Sequence, residues 1–233
     1  SLMRVLVVDA DRPRNAATLN SHGFLTRDGV APHELRRIAR DELAAYPNIE
    51  VRTRVRVLEL HRAGADDRGD ATVPGDGFTA SIGRKDPTDR VAARSVLLAT
   101  GLRDRLPGPW AEEAIACGAL RLCPICDAFE ASDLAIGVFG PARDIGSHAR
   151  FLRTFSSRVF ALPSDGGDGG EAGEAARAAG IEWLGPGELR FDGRRCHWHR
   201  ADDVVPLETV YCYLGSDATL PLDGLDVERT RSG

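Results

Sequence analysis

The hydrophobic and polar positions of the chain follow two periods, and each period predicts one kind of element. The run MRVLVVDA is apolar and β-branched without alternation, which is typical of a buried strand in a parallel sheet. A helix is predicted for PHELRRIARDELAAY, because Pro32 suits a first helical turn and Leu35 and Ile38 share one face. Further strands are predicted for IEVRTRVRVLEL, FTASIGR and RVAARSVLLAT, with a loop at GADDRGDATVPGDG.

A second series of strands and helices begins at Leu134, after the segment RLCPICDAFE. Strand–helix–strand units on both sides of this segment predict an α/β protein with two Rossmann-like, three-layer nucleotide-binding domains. The second unit is predicted to contain, in order, the strand LAIGVFG, a helix from Asp144 to Phe155, the strand RVFAL, the loop PSDGGDGGEAGE, a helix from Ala172 to Ala179, short strands around Trp183, Leu189 and His197, and the closing segment ETVYCYLG.

Charge and composition exclude several classes of partner. The net charge of the 233 residues is −5, so no basic field indicates nucleic acid. No apolar run approaches the roughly 20 residues that a membrane span needs, and the first residues do not have the pattern of a signal peptide, so we expect a cytoplasmic protein. The odd number of cysteines, five, does not fit a secreted disulfide framework.

The segment Cys123-Pro124-Ile125-Cys126-Asp127 has a spacing that suits a redox dithiol or half of a metal site. At the start of a helix the free N–H groups favour a thiolate, and Asp127 could act as acid or base in thiol exchange. A zinc site needs two more ligands, for which Cys196, His197 and His199 are candidates with unfavourable spacing. Two plain buried cysteines are the third interpretation. The proline between the cysteines and the acid after them favour the dithiol, and we expect no metal.

Two strand ends have residues that suit a dinucleotide. Asp9 follows a strand, where an acid can accept both hydroxyls of an adenosine ribose, although an acid that merely starts a turn is the simpler interpretation. The Gly-rich turn expected about 20 residues before such an acid is not present. Thr100 and Gly101 end the predicted strand VLLATG, where the glycine allows a ligand to approach the backbone.

A third strand end, Gly140, begins an incomplete dinucleotide fingerprint. The pattern Gly-x-Gly-x-x-Gly has Ala142 and Ile145 in its second and third small positions. The methyl group of Ala142 stands where the pyrophosphate must approach the backbone, and no arginines follow RVFAL to hold a 2′-phosphate. The segment therefore predicts a nicotinamide domain that has lost much of its binding chemistry, and the use of NADPH is doubtful.

Five segments occur in the order seen in low-molecular-weight thioredoxin reductases: VLVVDADRPRN, HGFLTRDG, VLLATGLRDRLP, CPICDAFE and VYCYLGSDATLPL. The chain resembles this family, the class II pyridine nucleotide-disulfide oxidoreductases, over nearly its whole length. The resemblance implies an FAD domain at 1–105, an inserted NAD(P)-binding-like domain at 106–212 and a crossover back at 213–233. In the family NADPH reduces FAD, FAD reduces the disulfide, and the disulfide reduces a partner protein.

The resemblance also implies roles for single residues. Cys123 is expected to be the interchange thiol, Cys126 the thiol that faces the flavin and Asp127 the proton donor. The partner is expected to be a thioredoxin-like protein or a small dithiol, and the chain is expected to form a homodimer. The residues implied in cofactor binding are Asp9, Arg12, Asn15, Val55, Thr100, Gly101 and Gly140.

The family's Gly-rich loop before Asp9 and its Gly-Asp segment after Gly233 are missing, which predicts a chain truncated at both ends. Three functions follow from these patterns. The first is an FAD-dependent dithiol/disulfide oxidoreductase similar to thioredoxin reductase. The second is an oxygen-dependent oxidase of small dithiols that does not use NADPH, and the third is a non-catalytic paralogue that acts as a binding subunit.

Overall fold

The structure, a computed structural model, describes residues 3–16, 18–63, 77–218 and 225. The chain divides into two compact units. Unit 1 comprises Ser1–Arg14, Arg36–Arg103 and Ala218–Gly233, and unit 2 comprises Asn15–Leu35 and Asp104–Asp217. None of the helices in the described ranges combines the length and apolar character needed to span a membrane.

A five-stranded, fully parallel sheet forms the centre of unit 2, with the strand order β10-β9-β8-β14-β7. Its strands follow the apolar runs of the sequence, and the helices lie between consecutive strands, as in other nucleotide-binding α/β folds. The predicted α/β class is therefore confirmed. The elements are β7 (Leu120–Arg121), β8 (Ile136–Gly140), α4 (Ala142–Leu152), β9 (Val159–Pro163), α5 (Gly170–Ala178), β10 (Glu182–Trp183) and β14 (Thr209–Cys212).

The two faces of this sheet are both buried, because every residue of β8 is buried. Ile136 and Val138 belong to a cluster that contains the apolar residues of α4, and Phe139 belongs to a second cluster around Trp198. The second cluster includes a three-stranded antiparallel sheet, which covers that face. Its strands are β11 (Glu188–Phe191), β12 (Cys196–His199) and β13 (Val204–Leu207), of which only β13 was not predicted from the sequence.

The described residues of unit 1 include two smaller sheets and most of the helix α1 (Pro32–Leu43). The first strand pairs in parallel with the second, and the next three strands form an antiparallel sheet whose buried side chains include Leu60 and Ile82. The elements are β1 (Val5–Asp9), α1 (Pro32–Leu43), β2 (Ile49–Thr53), β3 (Arg56–Arg62), β4 (Phe78–Gly83) and β5 (Pro87–Ala93). Helix α1 begins in unit 2 and continues in unit 1.

Several sequence predictions for unit 1 are wrong in detail. β1 is parallel as predicted but not buried, because in the described residues only β2 pairs with it. The stretch IEVRTRVRVLEL forms two strands rather than one, since the backbone at Arg54 takes a positive φ of 59°. The apolar end of RVAARSVLLAT is not a strand, and Leu97 is 91% exposed. The predicted loop at GADDRGDATVPGDG lies outside the described residues except for its last glycine.

Apart from the helix start considered at the C-x-x-C segment, the short elements around this segment were not predicted. A helix precedes the segment. Two three-residue strands that are far apart in the sequence also pair with each other. In addition, α5 begins two residues before the predicted Ala172, inside the predicted loop PSDGGDGGEAGE. These elements are α2 (Ala111–Ala116), α3 (Pro124–Asp127), β6 (Leu102–Asp104) and β15 (Ser216–Ala218).

Candidate active site

Cys123 and Cys126 are joined by a disulfide at the start of the one-turn helix α3. Cys123 is extended, and Pro124 fits the first helical position because it has no N–H to satisfy there. The turn brings the two Cα atoms to 5.3 Å, a separation that suits a disulfide. The structure therefore places the two cysteines of the C-x-x-C segment at a separation that allows them to form a disulfide.

The remaining cysteines differ from this pair in their surroundings. Cys196 and Cys212 are buried, and burial raises the pKa of each thiol to about 12. Such thiols remain protonated and are poor nucleophiles at neutral pH. Cys117 is exposed, and its Sγ lies 3.4 Å from the carbonyl oxygen of Ala114. Among the described residues, Cys123 and Cys126 are thus the pair joined by a disulfide, and Cys117 is the exposed free cysteine.

Asp127 is the buried carboxyl group next to the disulfide. Its backbone N–H donates to the carbonyl of Cys123 at 3.3 Å, so the α3 turn fixes the residue to the first cysteine. Burial raises the pKa of the carboxyl group, although Arg121 and Tyr211 partly oppose the shift. An acid with a raised pKa keeps its proton nearer to neutral pH, which is what a proton donor in thiol exchange requires.

Two side chains on neighbouring strands contact this carboxyl group. The Tyr211 hydroxyl on β14 donates to Asp127 Oδ1 at 2.9 Å, and Arg121 Nη1 on β7 lies 3.3 Å from Asp127 Oδ2. Arg121 also donates to the Asp127 carbonyl at 3.1 Å and to Thr209 Oγ1. Sequence analysis missed both residues, because their contact depends on the pairing of β14 with β7, which no local pattern reveals.

A polar cluster lies on the other side of α3. His22 Nε2 is 3.0 Å from Glu130 Oε1, its Nδ1 is 3.2 Å from Asp28 Oδ2, and Asn20 donates to the same Glu130 oxygen. The hydrogen bonds to Glu130 and Asp28 raise the pKa of the His22 imidazole. The structure shows His22 in an ion-pair network with its ring 5.3 Å from that of Phe129.

An apolar cavity opens between this cluster and α3. Its volume is about 410 Å³, and its wall contains two residues of the C-x-x-C turn, Pro124 and Ile125, together with aromatic rings. Ile125 and Phe129 are both well exposed, so this wall is accessible to other molecules. The other lining residues are His22, Asp28, Phe151 and Phe155.

In unit 1 the predicted ribose acid, Asp9, lies at the carboxyl end of β1. Its Oδ1 accepts the Asp11 N–H at 2.8 Å, and Arg36 Nη2 lies 3.2 Å from its Oδ2. Arg36 also bonds Asp11, and these contacts lower the pKa of the Asp11 carboxyl group. The Val55 N–H donates to the Asp9 carbonyl at 3.2 Å, so the structure brings Asp9 and Val55 together. The contact of Arg36 with these carboxyl groups was not predicted from the sequence.

The other predicted FAD residues are distributed over the chain. Arg12 is exposed in the loop after β1, and Asn15 lies in the segment that belongs to unit 2, where its carbonyl accepts the Thr18 N–H. Thr100 and Gly101 lie in an exposed stretch of unit 1, and Gly101 has a φ of 70°. In the described residues no hydrogen bond or ion pair joins Thr100 or Gly101 to Asp9.

At the end of β8, the turn after Gly140 is filled by the chain itself. Pro141 provides no N–H, and the N–H of Ala142 donates to the Asp165 carboxylate at 3.1 Å. The N–H of Gly167 donates to the same carboxylate, and these bonds lower the pKa of Asp165. A carboxylate therefore occupies the start of α4, where a pyrophosphate would bind. Asp165 was not identified from sequence, although an acid some 20 residues after such a turn is part of the fingerprint.

The residues considered as zinc ligands from the sequence are not grouped in the described part of the chain. In the described part of the chain, no group of three or more His, Cys, Asp or Glu residues could hold a metal ion. Cys196 faces the core from β12, and the alternation of the strand places His197 and His199 on its opposite face. His197 instead lies 2.8 Å from Asp192, whose pKa is lowered to about 2 by the Arg195 N–H and this imidazole.

Several known proteins are similar to this chain in sequence or in structure. The protein named "Probable thioredoxin reductase" from Arthroderma benhamiae is 31% identical over 165 residues, 67% of this chain. The crystal structure of HlmI is 30% identical with a TM-score of 0.80, covering 99% of this chain and 70% of that one. The thioredoxin reductase from Giardia duodenalis shares the fold at 15% identity, with a TM-score of 0.65 over 92% of this chain and 69% of that one.

No family model matches the sequence. The chain spans 37% of the length of the curated relative from Arthroderma benhamiae. The resemblance found in the five sequence segments is confirmed by these similarities and by the nucleotide-binding α/β fold. The chain belongs to the thioredoxin reductase-like family, the class II pyridine nucleotide-disulfide oxidoreductases.

Proposed function

We propose that this protein is an FAD-dependent dithiol/disulfide oxidoreductase that exchanges electrons through Cys123 and Cys126. The observation that carries the proposal is the disulfide at the start of α3, with the buried Asp127 in the following position. The proposed partner is a thioredoxin-like protein or a small dithiol. By analogy with the family, we also propose a cytoplasmic homodimer with an FAD domain at 1–105, a second domain at 106–212 and a crossover at 213–233.

The exchange step follows from the chemistry of the pair. The Cys123 thiolate attacks a partner disulfide, so a bond forms between Cys123 Sγ and one partner sulfur while the partner S–S bond breaks. The leaving thiolate takes a proton from Asp127, which becomes a carboxylate. The Cys126 thiol then gives its proton to the Asp127 carboxylate and attacks Cys123 Sγ, which closes the disulfide and releases the second partner thiolate. The partner gains two electrons, and the cysteine pair loses them.

The residues proposed to hold FAD are Asp9, Arg12, Asn15, Val55, Thr100 and Gly101. Asp9 fits this role, because it lies at the carboxyl end of a parallel strand with about a third of its side chain exposed. Gly101 also fits, since its positive φ and the open space around its Cα permit close approach of a ligand. When bound, FAD supplies the two-electron chemistry that returns the cysteine pair to its starting state.

A second candidate, an oxidase of small dithiols that does not use NADPH, is favoured by the turn after Gly140. Pro141 provides no donor, and the Ala142 N–H is already bonded to the Asp165 carboxylate. A bound pyrophosphate would have to displace this anion or lie beside it, and the adjacent 2′-phosphate would meet the same negative charge. In this candidate the small dithiol reduces the Cys123–Cys126 disulfide, and oxygen is the final electron acceptor.

The test is anaerobic reduction of the FAD-reconstituted protein, followed by flavin absorbance. Addition of dithiothreitol is expected to bleach the flavin in the native sequence but not in Cys126→Ser, because the electrons must pass through the pair. Rapid bleaching by NADPH alone would contradict the oxidase and support a reductase. If the pure protein gives no spectral change with FAD, both enzyme functions fail and the non-catalytic binding subunit is supported. A monomer by light scattering at micromolar concentration would contradict the dimer.

A further inference from the structure

Asp127 directly follows the disulfide, and each of its two carboxyl oxygens contacts a side chain of the parallel sheet. Oδ1 accepts the Tyr211 hydroxyl at 2.9 Å, and Oδ2 lies 3.3 Å from Arg121 Nη1. The side chains of Arg121 and Asp127 are 15% and 10% exposed, so solvent screens this ion pair little. Such contacts stabilise the carboxylate, which is the form that appears once the proton has left.

The two donors are held by the sheet rather than by α3. Tyr211 is in β14, which pairs with β8 on one side and with β7 on the other, and its side chain is fully buried. Arg121, on β7, bonds Thr209 of β14 and the carbonyl of Asp127. Neither donor belongs to the C-x-x-C turn, because Arg121 is in β7 and Tyr211 is in β14.

We propose that Tyr211, assisted by Arg121, is a positioning residue that stabilises the Asp127 carboxylate and so determines how readily Asp127 gives its proton during thiol–disulfide exchange. This inference rests on the proposed function of Asp127 as proton donor. Tyr211 fixes the orientation of the carboxyl group, and Arg121 balances the charge that Asp127 acquires. Neither residue exchanges electrons or forms a covalent bond with the partner.

The neighbourhood of Asp127 provides a matched control. Tyr213 comes two residues after Tyr211, and its hydroxyl is also buried but has no hydrogen-bond partner among the described residues. Its ring stacks on His148 at 3.7 Å. The charged or titratable groups that act on Asp127 are Arg121, Tyr211, Tyr213 and Glu130. Tyr213→Phe therefore removes a buried hydroxyl near Asp127 without removing a bond to it.

The experiment follows the ¹³Cγ signal of Asp127 against pH in protein with labelled aspartate, with Asp127→Asn to assign the signal. In Tyr211→Phe the midpoint is expected to rise by about one pH unit, because a hydrogen bond to the charged form is lost. Tyr213→Phe is expected to leave the midpoint in place. Arg121→Gln is expected to raise the Asp127 midpoint at least as much as Tyr211→Phe does. Arg121→Lys is expected to return the midpoint most of the way to the native value, because lysine retains the positive charge.

The second measurement is the rate at which dithiothreitol reduces the Cys123–Cys126 disulfide, as a function of pH. The limb that reports Asp127 is expected to move upward in Tyr211→Phe by the same amount as the NMR midpoint. Equal NMR midpoints in Tyr211→Phe and the native sequence would overturn the positioning role, whatever the rates show. A shifted NMR midpoint with an unchanged rate profile would instead overturn the role of Asp127 as proton donor, on which the inference rests.

Discussion

The two units of the molecule bury their apolar strands differently. In unit 2 each residue of β8 is buried between two clusters of side chains. In unit 1 the parallel strand β1 is half-exposed throughout, and Leu97 in the apolar run after β5 is 91% exposed. A strand with this composition is fully buried only with neighbours on both sides and on both faces, which β8 has and β1 lacks in the described residues. Hydrophobic composition alone therefore does not determine burial.

This difference also separates the two sets of candidate functional residues. Asp127, which follows the cysteine pair, is bonded to the parallel sheet of unit 2 through Tyr211 on β14 and Arg121 on β7. Thr100 and Gly101 lie on an exposed stretch of unit 1 without strand pairing. The residues proposed for thiol exchange are thus preorganised by this chain, whereas Thr100 and Gly101, which are proposed for FAD, are not.

The largest expected difference between the units is in the loss of stability when one apolar side chain is truncated. Trp198→Ala in unit 2 is expected to lower the free energy of unfolding by about 3–5 kcal/mol, because the side chain is fully buried. Leu97→Ala in unit 1 is expected to change it by less than about 0.5 kcal/mol, because the side chain is already exposed. Urea unfolding followed by circular dichroism measures both. Equal losses of unfolding free energy in the two variants would contradict the difference in burial between the two units.

A smaller effect distinguishes the two predicted cofactor glycines. A Cβ on Gly140 would lie 2.6 Å from the Tyr213 carbonyl oxygen, so Gly140→Ala is expected to destabilise the protein by about 1–3 kcal/mol through overpacking. Gly101 has open space but a φ of 70°, so Gly101→Ala is expected to cost about 1–2 kcal/mol through backbone strain. Asparagine, which tolerates a positive φ, separates the two causes.

Gly101→Asn is expected to be less destabilising than Gly101→Ala, and Gly140→Asn more destabilising than Gly140→Ala. The four variants are compared by thermal unfolding under identical conditions. The opposite order at either position would show that the cause assigned to that glycine is wrong. The expected result would sharpen the comparison of the two units. It would show that packing sets the cost of a substitution at Gly140 in unit 2, whereas backbone conformation sets the cost at Gly101 in unit 1.

The smallest effect is a pH dependence within unit 2. Bonds to Glu130 and Asp28 raise the pKa of His22 above its ordinary value of 6.5. Stability from these contacts is therefore complete below pH 6.5 and is lost as the pH rises through the raised pKa of the folded protein. NMR titration of the imidazole is expected to give a midpoint above 6.5, which Glu130→Gln lowers more than Asp28→Asn. A midpoint at or below 6.5 in the native sequence would contradict the network.

Sequence patterns predicted the α/β class, the parallel strands and the C-x-x-C pair, because each is determined by residues close together in the chain. They could not predict Tyr211 and Arg121 as partners of Asp127, since the pairing of β14 with β7 joins residues about 90 positions apart. They also overestimated β1 and the run after β5, where the apolar composition is correct but the neighbouring strands are not present in the described residues. The cofactor residues stay a prediction, because only Asp9 and Val55 are brought together.

The assignment of Asn15–Leu35 to unit 2 has a consequence for the order of folding. This segment is synthesised long before its partners: His22 and Glu130 are separated by 108 residues. Closure of so long a loop loses much chain entropy, so these contacts are expected to form late, after the local strand–helix units of unit 2. Mutations at His22 should accordingly accelerate unfolding while leaving the refolding rate nearly unchanged.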